Sequence, residues 1–288
     1  MKVCPNCQSQ FEATDWRYPR CHHEPPRLNG FVAFAPDLAE ENESYSPEFF
    51  QTLADLQAAS FWFRARNRLI VWALRRHFPT ARSFLEVGCG TGFVIEGIRA
   101  ALPGLTITGS EIYTTGLEFA RRQLGAVELL QLDASALPYS GEFDVIGAFD
   151  VLEHIEVDQI ALQQMYQAAR PGGGIILTVP QHMALWSMTD EHARHVRRYA
   201  AAELASKVSA AGFDVLRATS FVSLLLPLMA VSRRQLQREG EDRLLSELSI
   251  GGLLNSLFEA TMTLERLLIE RGVSFPIGGS LLLVARKL

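Results

Sequence analysis

The sequence predicts an α/β fold, a doubly wound sheet of seven mostly parallel strands covered by helices on both faces. Three observations carry that expectation. From Ser83 to Ser220, short apolar or β-branched runs alternate with helical runs, as βαβ units do. The first of those runs enters a glycine-rich turn that opens a helix. An acidic residue stands at the end of each of the first four strands, at Glu86, Glu111, Asp133 and Asp150.

Residues 1–30 hold three of the four cysteines, two adjacent histidines and four prolines, without helical period, and read as a small separate module. Residues 31–46, with Asp37, Glu40, Glu41 and Glu43, read as a linker. Residues 47–82 read as a helical cover, started by Ser46-Pro47 with Glu48 in the first turn. The strands expected next are Ser83–Val87, Leu105–Ser110, Val127–Leu132, Phe143–Phe149, Gly174–Val179 and Phe213–Ser220. Between them the pattern predicts helices over Phe93–Ala101, Thr115–Leu124, Asp158–Arg170 and Ala200–Ala211. Residues 221–279 form a Leu/Met-rich helical insertion, and Ser280–Arg286 is the closing strand. Residues 83–220 and 280–288 thus make the core.

At roughly 100–200 residues per domain, 288 residues suit one large domain with one or two small modules. A hydrophobic share of 48% excludes disorder along the whole chain. The net charge of −5 offers no broad footprint for nucleic acid. Four cysteines do not make a disulfide scaffold, and the start MKVCPNCQSQ has no apolar signal region. The longest apolar stretch, Phe221–Val231, falls far short of the ~20 residues that span a bilayer. The expected location is cytoplasmic, with peripheral contact at the inner membrane face as an option.

Gly88, Gly90 and Gly92 follow the strand Phe84-Leu85-Glu86-Val87 as Gly-x-Gly-x-Gly. Glycines there let the backbone turn sharply and approach a ligand closely. Position 93 is Phe, so the spacing departs from the Gly-x-Gly-x-x-Gly of dinucleotide sites. Glu86 would repel phosphate but would pair with an ammonium or sulfonium, which argues against a nicotinamide cofactor. Ligands of open α/β sheets bind at the carboxyl ends of the strands. Any one of the four acidic residues could simply cap a following helix; four in succession point to a ligand site.

Taken together, Ser83–Ser220 and Leu281–Lys287 resemble the Rossmann-like class I S-adenosylmethionine-dependent methyltransferases. Arg170-Pro171-Gly172-Gly173-Gly174, leading into Ile175–Val179, is similar to that family's turn into its fifth strand. The resemblance implies that Glu86, Gly88, Cys89, Gly90 and Gly92 hold the methionine end and the ribose side of S-adenosylmethionine. Glu111, with Ile112 beside it, would bind the ribose hydroxyls. Asp133 and the Ala134 amide would meet the adenine, and Asp150 and Val151 would wall the cofactor from the acceptor.

On the acceptor side, His154, His182, His192 and His195 follow the fourth and fifth strands. A histidine near pKa ~6.5 can take a proton from an attacking hydroxyl, which makes His154, His192 and His195 candidate catalytic residues. Tyr199 and Asp190 are alternatives. The segment Asp190–Tyr199 resembles a loop in which His195, Arg198 and Tyr199 border the family's active site, although Arg197 or Arg198 could instead pair with Glu203. Asp150-x-x-Glu153-His154 is similar to a Glu-x-x-Glu-His metal site of ubiquinone-pathway O-methyltransferases, with Asp in place of the first Glu. Leu-Glu-His also occurs widely in members that use no metal.

Cys4-Pro5-Asn6-Cys7, followed by Cys21-His22-His23-Glu24, resembles a zinc ribbon. The fourth cysteine, expected at position 24, is Glu, so His23 (or His22) would complete a structural Zn2+ site with Cys4, Cys7 and Cys21. The competing reading is a ribbon that has lost its metal. Phe61-Trp62-Phe63-Arg64-Ala65-Arg66 reads as a packing helix with an arginine face. In the insertion, 253, 257, 264 and 268 follow a helix face. It suits a lid over an apolar acceptor, a homodimer face, peripheral membrane contact aided by Arg233, Arg234 and Arg238, or extra core. The expected function is methyl transfer to oxygen or nitrogen of an apolar or lipid-linked small molecule. The alternative is an inactive cofactor-binding scaffold that recruits partners through the N-terminal module. Asp150-Val151-Leu152-Glu153 lacks the Asn/Asp-Pro-Pro-Tyr/Phe tetrapeptide of base N-methylation.

Overall fold

In the computed structural model, every residue is described except Thr14, 40–46 and 240–250; for 234–239 only the backbone is described. The Ser46 start signal, the acidic residues Glu40, Glu41 and Glu43, and the side chains of Arg234 and Arg238 therefore lie outside the described residues. The chain begins with a hairpin of β1 (Lys2–Val3) and β2 (Gln10–Phe11), then β3 (Arg27–Leu28) and β4 (Phe31–Ala33). Helices α1 (Pro47–Ala59) and α2 (Phe61–His77) precede β5 (Ser83–Val87), α3 (Phe93–Ala101), β6 (Thr106–Glu111), α4 (Thr114–Leu124) and β7 (Glu128–Gln131). The second half runs β8 (Phe143–Phe149), α5 (Asp158–Ala168), β9 (Ala169–Pro180), α6 (Met188–His192), α7 (Ala201–Ala210) and β10 (Asp214–Phe221). The insertion carries α8 (Leu226–Glu239) and α9 (Gly252–Glu270), and β11 (Ser280–Arg286) closes the sheet.

The main sheet has the order β10-β11-β9-β8-β5-β6-β7-β4-β3. From β9 through β4 neighbouring strands run parallel; β11 lies antiparallel between β9 and β10. All seven expected strands are present, and two more extend the sheet. Val32 pairs in parallel with Leu130, and Arg27 pairs with Val32 in a short hairpin. Phe31, Val32 and Ala33, in the stretch read as linker, are buried because they close the β7 edge of the sheet.

Period-two alternation sorts the strand residues into two cores. Leu85, Val87, Ile146, Leu177 and Val179 face α5, α7 and the N-terminal segment. Phe84, Val145, Phe149 and Ile176 face α2, α3, α4 and α9. Helix α2 starts at Ser60, whose side chain accepts from the Trp62 amide, and ends on Arg75, Arg76 and His77, which complement the helix dipole. Helix α5 ends at Ala168, short of the expected Arg170. Pro171 disfavours helical backbone in the residue before it, so the chain is already extended from Ala169. In α9 the buried residues are Met262, Glu265 and Ile269, while Leu253, Leu254, Leu257 and Leu264 are exposed. The expected helix forms, but its leucine stripe faces outward.

The N-terminal segment is built into the core. The Val3 amide donates to the Pro138 carbonyl (2.9 Å), Lys2 bridges to Tyr139, and the Trp16 ring meets Tyr139 edge-on at 5.4 Å. Central strand β5 is where packing is most demanding, and Leu85 there is wholly buried. Leu85→Ala is expected to cost about 2–5 kcal/mol, read as a lower urea midpoint with an unchanged slope.

Candidate functional site

The carboxyl ends of β5, β6, β7 and β8 converge on the glycine turn. Gly88, Gly90 and Gly92 all have left-handed φ, at 70°, 50° and 84°. A Cβ on Gly88 would stand 2.4 Å from Val151 Cγ2, and one on Gly92 would stand 2.6 Å from Leu124 Cδ1. At Gly90 the space beside the backbone is open. Two glycines thus let the chain pack, and the third leaves a cradle. Cys89 contributes backbone only: its thiol is buried beside Ile95 and Leu129, over Gly109. Helix α1 closes over the turn, with Thr91 Oγ1 hydrogen-bonded to Gln57 Oε1.

Glu111 spans two turns. Its carboxylate accepts from the amides of Gly90 (3.0 Å), Ile112 (2.8 Å) and Tyr113 (3.3 Å), leaving acceptor capacity on the Gly90 side. Glu86 is buried, and its Oε2 has no partner among the described residues. Burial pushes both carboxyls above their ordinary range; the Arg66 guanidinium opposes this at Glu86, and backbone amides oppose it at Glu111. An orphaned acceptor at Glu86, the open side of Gly90 and the remaining capacity of Glu111 fit a ligand with a cationic end and hydroxyl groups, as S-adenosylmethionine has. Asp133 Oδ1 accepts from the Ser135 amide (2.9 Å), shaping the turn after β7, and Ala134 packs its methyl into the core. Asp150, with φ 58°, is held by Thr178 Oγ1 (3.1 Å) and by an ion pair with Arg66. Arg66 stacks on Trp62 (4.6 Å). Arg66 belongs to the arginine face expected of a packing helix; its partner lies 84 residues away, and no local signal marks it.

Beyond Asp150 lies a mostly apolar cavity of about 470 Å3. Phe61, Trp62 and Phe63 of α2, Leu228 and Met229 of α8, and Phe258 of α9 line it. His195 stands on its wall. His195 Nδ1 is 2.8 Å from Asp190 Oδ1, and a carboxylate only accepts, so Nδ1 carries the proton and Nε2 offers a lone pair. Asp190 is buried and also binds Arg198 Nε (2.8 Å), Arg233 Nη1 (3.2 Å) and the Ser187 amide (2.9 Å), the last closing a capping box on α6. Burial pushes Asp190 up, but the His195 hydrogen bond and the Arg198 and Arg233 charges outweigh it and hold the carboxyl well below the usual range.

The other three catalytic candidates sit elsewhere. His192 is exposed at the end of α6. Tyr199 is wholly buried, its hydroxyl donating to Asp158 Oδ2 (2.7 Å), so it braces α5 and does not reach the cavity. His154 meets the His195 ring edge-on (4.8 Å) from behind the cavity wall; burial and His195 push its pKa down to about 4. Arg197 and Arg198 pair with Asp158 and Asp190, not with Glu203. The ligand atoms of Glu153, His154 and His195 lie within 4.8 Å of one another. Asp150 is not of that group, because Arg66 and Thr178 engage it. Both Glu153 oxygens are buried without a hydrogen-bond partner among the described residues, Oε1 standing 3.9 Å from His195 Nε2, and burial followed by the Asp150 charge raises its pKa well above the usual range.

At the N-terminus the sulfurs of Cys4, Cys7 and Cys21 also converge within 4.8 Å. His23 is absent from that group; its ring stacks on Tyr18 (5.7 Å, 12°). A groove of about 460 Å3 between α2, α3 and α9 carries Arg64, Arg68 and Arg266. All three are already paired, with Glu259 or Glu270, and the groove lies away from the strand ends.

Asp190 supplies the clearest pH signature. Its charged form is favoured in the folded state, so its contribution is complete above the unfolded-chain pKa of about 4 and is lost as pH falls below it. Asp190→Asn is expected to cost about 3–5 kcal/mol at pH 7. The urea stabilities of wild type and variant should converge as pH is lowered from about 5 toward 2; a constant gap would show that the charge is not what binds these partners.

The model of the methyltransferase domain family matches residues 54–218. The chain is 26% identical over 170 residues to a probable S-adenosylmethionine-dependent methyltransferase of Mycolicibacterium smegmatis, covering 57% of this chain and 64% of the relative. It is 29% identical over 126 residues to the ubiquinone biosynthesis O-methyltransferase of Escherichia coli O9:H4, covering 41% and 51%. The chain therefore spans less than two thirds of the length of these relatives. Among solved structures, phosphoethanolamine N-methyltransferase 2 of Haemonchus contortus, in complex with S-adenosyl-L-methionine, superposes with a TM-score of 0.56 at 16% identity, covering 91% of this chain and 61% of that one. A chain of the complex between the Haloferax volcanii Trm112 methyltransferase activator and a methyltransferase gives a TM-score of 0.56 at 16% identity, covering 86% and 98%. These two likenesses concern the fold. The family match runs from within α1 into β10, more than half of the residues and all the strand ends described above, and the chain belongs to the methyltransferase domain family.

Proposed function

We propose that this protein methylates a hydroxyl group of an apolar small molecule, using S-adenosylmethionine, with His195 as general base. The observation that carries the proposal is the His195–Asp190 pair on the wall of an apolar cavity that is also lined by Asp150, at the end of β8. Relatives named for ubiquinone biosynthesis point to the same acceptor class.

The chemistry that S-adenosylmethionine brings when bound is a methyl group made electrophilic by its sulfonium. Glu86 and the backbone of Gly88–Gly92 hold the cationic methionine end, and Glu111 accepts from the ribose hydroxyls. Asp133 and the Ala134 amide flank the adenine. Phe61, Trp62, Leu228, Met229 and Phe258 bind the apolar body of the acceptor and exclude water, so that proximity and orientation do most of the catalytic work. His195 Nε2 takes the proton from the acceptor hydroxyl. Asp190 keeps the ring in the tautomer that can do so and stabilises the imidazolium that results. Among the roles open to the insertion, a lid is the one this cavity supports, because the start of α8 and the middle of α9 form its outer wall.

Calorimetric titration should show micromolar binding of S-adenosylmethionine by the wild type and its loss in Glu111→Ala. A folded wild type that binds none would end the methyltransferase reading. On a panel of phenols and catechols with apolar tails, His195→Ala is expected to lower kcat by about 10²–10⁴ while cofactor affinity stays at the wild-type level. Undiminished turnover in that variant would remove His195 from the chemistry. Cofactor binding without turnover on any acceptor would favour the scaffold role instead.

A further inference from the structure

The N-terminal segment contains the same loop twice. Cys4-Pro5-Asn6-Cys7-Gln8-Ser9 and Tyr18-Pro19-Arg20-Cys21-His22-His23 share the order x-Pro-x-Cys. Their backbones repeat as well. The Gln8 amide donates to the Cys4 carbonyl (2.9 Å) as the His22 amide donates to the Tyr18 carbonyl (2.9 Å). The Cys4 amide donates to the Ser9 carbonyl (3.0 Å) as the Tyr18 amide donates to the His23 carbonyl (3.0 Å). Gln8 and His22 share a left-handed φ, 57° and 56°. Superposed loop for loop, Cys7 corresponds to Cys21 and Cys4 corresponds to Tyr18. The fourth position of the cluster is therefore 18, not 23 or 24, and it holds a tyrosine.

The three remaining sulfurs are placed as metal ligands are. Cys4 and Cys21 Sγ are 3.5 Å apart, and all three lie within 4.8 Å of one another. Zn–S bonds of 2.3 Å in a tetrahedron separate sulfurs by about 3.8 Å. The Cys7 amide donates to Cys4 Sγ (3.4 Å). Tyr18 is wholly buried, its hydroxyl directed to the Val3 carbonyl (3.4 Å) and its ring stacked on His23. We propose that Cys4, Cys7 and Cys21 hold one Zn2+ on three thiolates, at a double-loop site where Tyr18 stands in place of the fourth cysteine. Such a metal joins both loops. Cys4 lies in the main core, and β1 beside it bonds the Pro138 carbonyl, so the metal clamps the N-terminal segment to the turn before β8. A set of three thiolates also binds Zn2+ less tightly than four, and that difference is open to test.

The test uses the full-length protein, reduced and handled without oxygen, with Co2+ as the spectroscopic probe and Zn2+ as competitor. The wild type should take up one equivalent of Co2+ with intense thiolate-to-cobalt absorption, and Zn2+ should displace it. Cys7→Ser, at a half-exposed position, should lose that absorption while retaining the wild-type far-UV circular dichroism. Tyr18→Cys should tighten Zn2+ in chelator competition by at least about tenfold, the scale of change that even an outer partner of a ligand produces. Absence of the thiolate band in the reduced wild type overturns the proposal. So does a band that survives Cys7→Ser, or a Cys4–Cys21 disulfide, found by mass spectrometry in protein purified without reductant, that reforms in preference to metal uptake. If Tyr18→Cys fails to fold, the wild-type and Cys7→Ser spectra decide the matter.

Discussion

The loop beside the apolar cavity hangs on the ionised carboxylate of Asp190. It caps α6 through Ser187, orients His195, neutralises Arg198 and reaches Arg233 on α8. The stretch from Ser187 to Arg198 is thereby fixed on itself and to α8 at the cavity wall. A buried charge is expensive unless paired and hydrogen-bonded. Here two guanidinium groups and a backbone amide satisfy it, and the imidazole completes its coordination. The same bonds that keep the loop folded hold His195 on the cavity wall, with its Nε2 3.9 Å from Glu153 Oε1.

Buried acids dominate the strand ends around the glycine turn. Glu86, Glu111 and Glu153 all sit where burial raises their pKa. Arg66 is the counterweight: it pairs with Asp150 and stacks on Trp62, and its charge also acts on Glu86 and Glu153. A cationic ligand beside these acids would favour their charged form, as the Arg66 guanidinium does. A phosphate-bearing cofactor would disfavour it.

The insertion and the N-terminal segment share a logic. Each covers part of a sheet that would otherwise leave apolar surface or strand edges bare. Phe31–Ala33 caps the β7 edge, Trp16 and Cys4 complete one core, and α9 packs Met262 and Ile269 on the other. Neither addition disturbs the parallel centre of the sheet. Both bring new chemistry to its margins: a cavity wall in one case, three converging thiols in the other.

Local pattern alone determined the strands, the helices between them, the glycine turn and the acidic strand ends, because a period of two or 3.6 is written in neighbouring residues. Glu86 and Glu111 stand at the strand ends where that pattern placed them. Tertiary structure decided the rest. His192 and Tyr199 carry suitable groups in a suitable loop, yet one faces solvent and the other is consumed by Asp158. Arg66 and Arg233 look like surface charges in sequence, but their partners lie 84 and 43 residues away. The edge strand at Phe31 is too short to have a period, and its hydrogen-bonding partner comes from β7. The shared x-Pro-x-Cys order alone does not mark Tyr18 as the counterpart of Cys4; the matching amide-to-carbonyl bonds of the two loops do. Spacing along a chain records which residues share a face; which charges meet, and which hydroxyls are already spent, is settled only when distant segments pack.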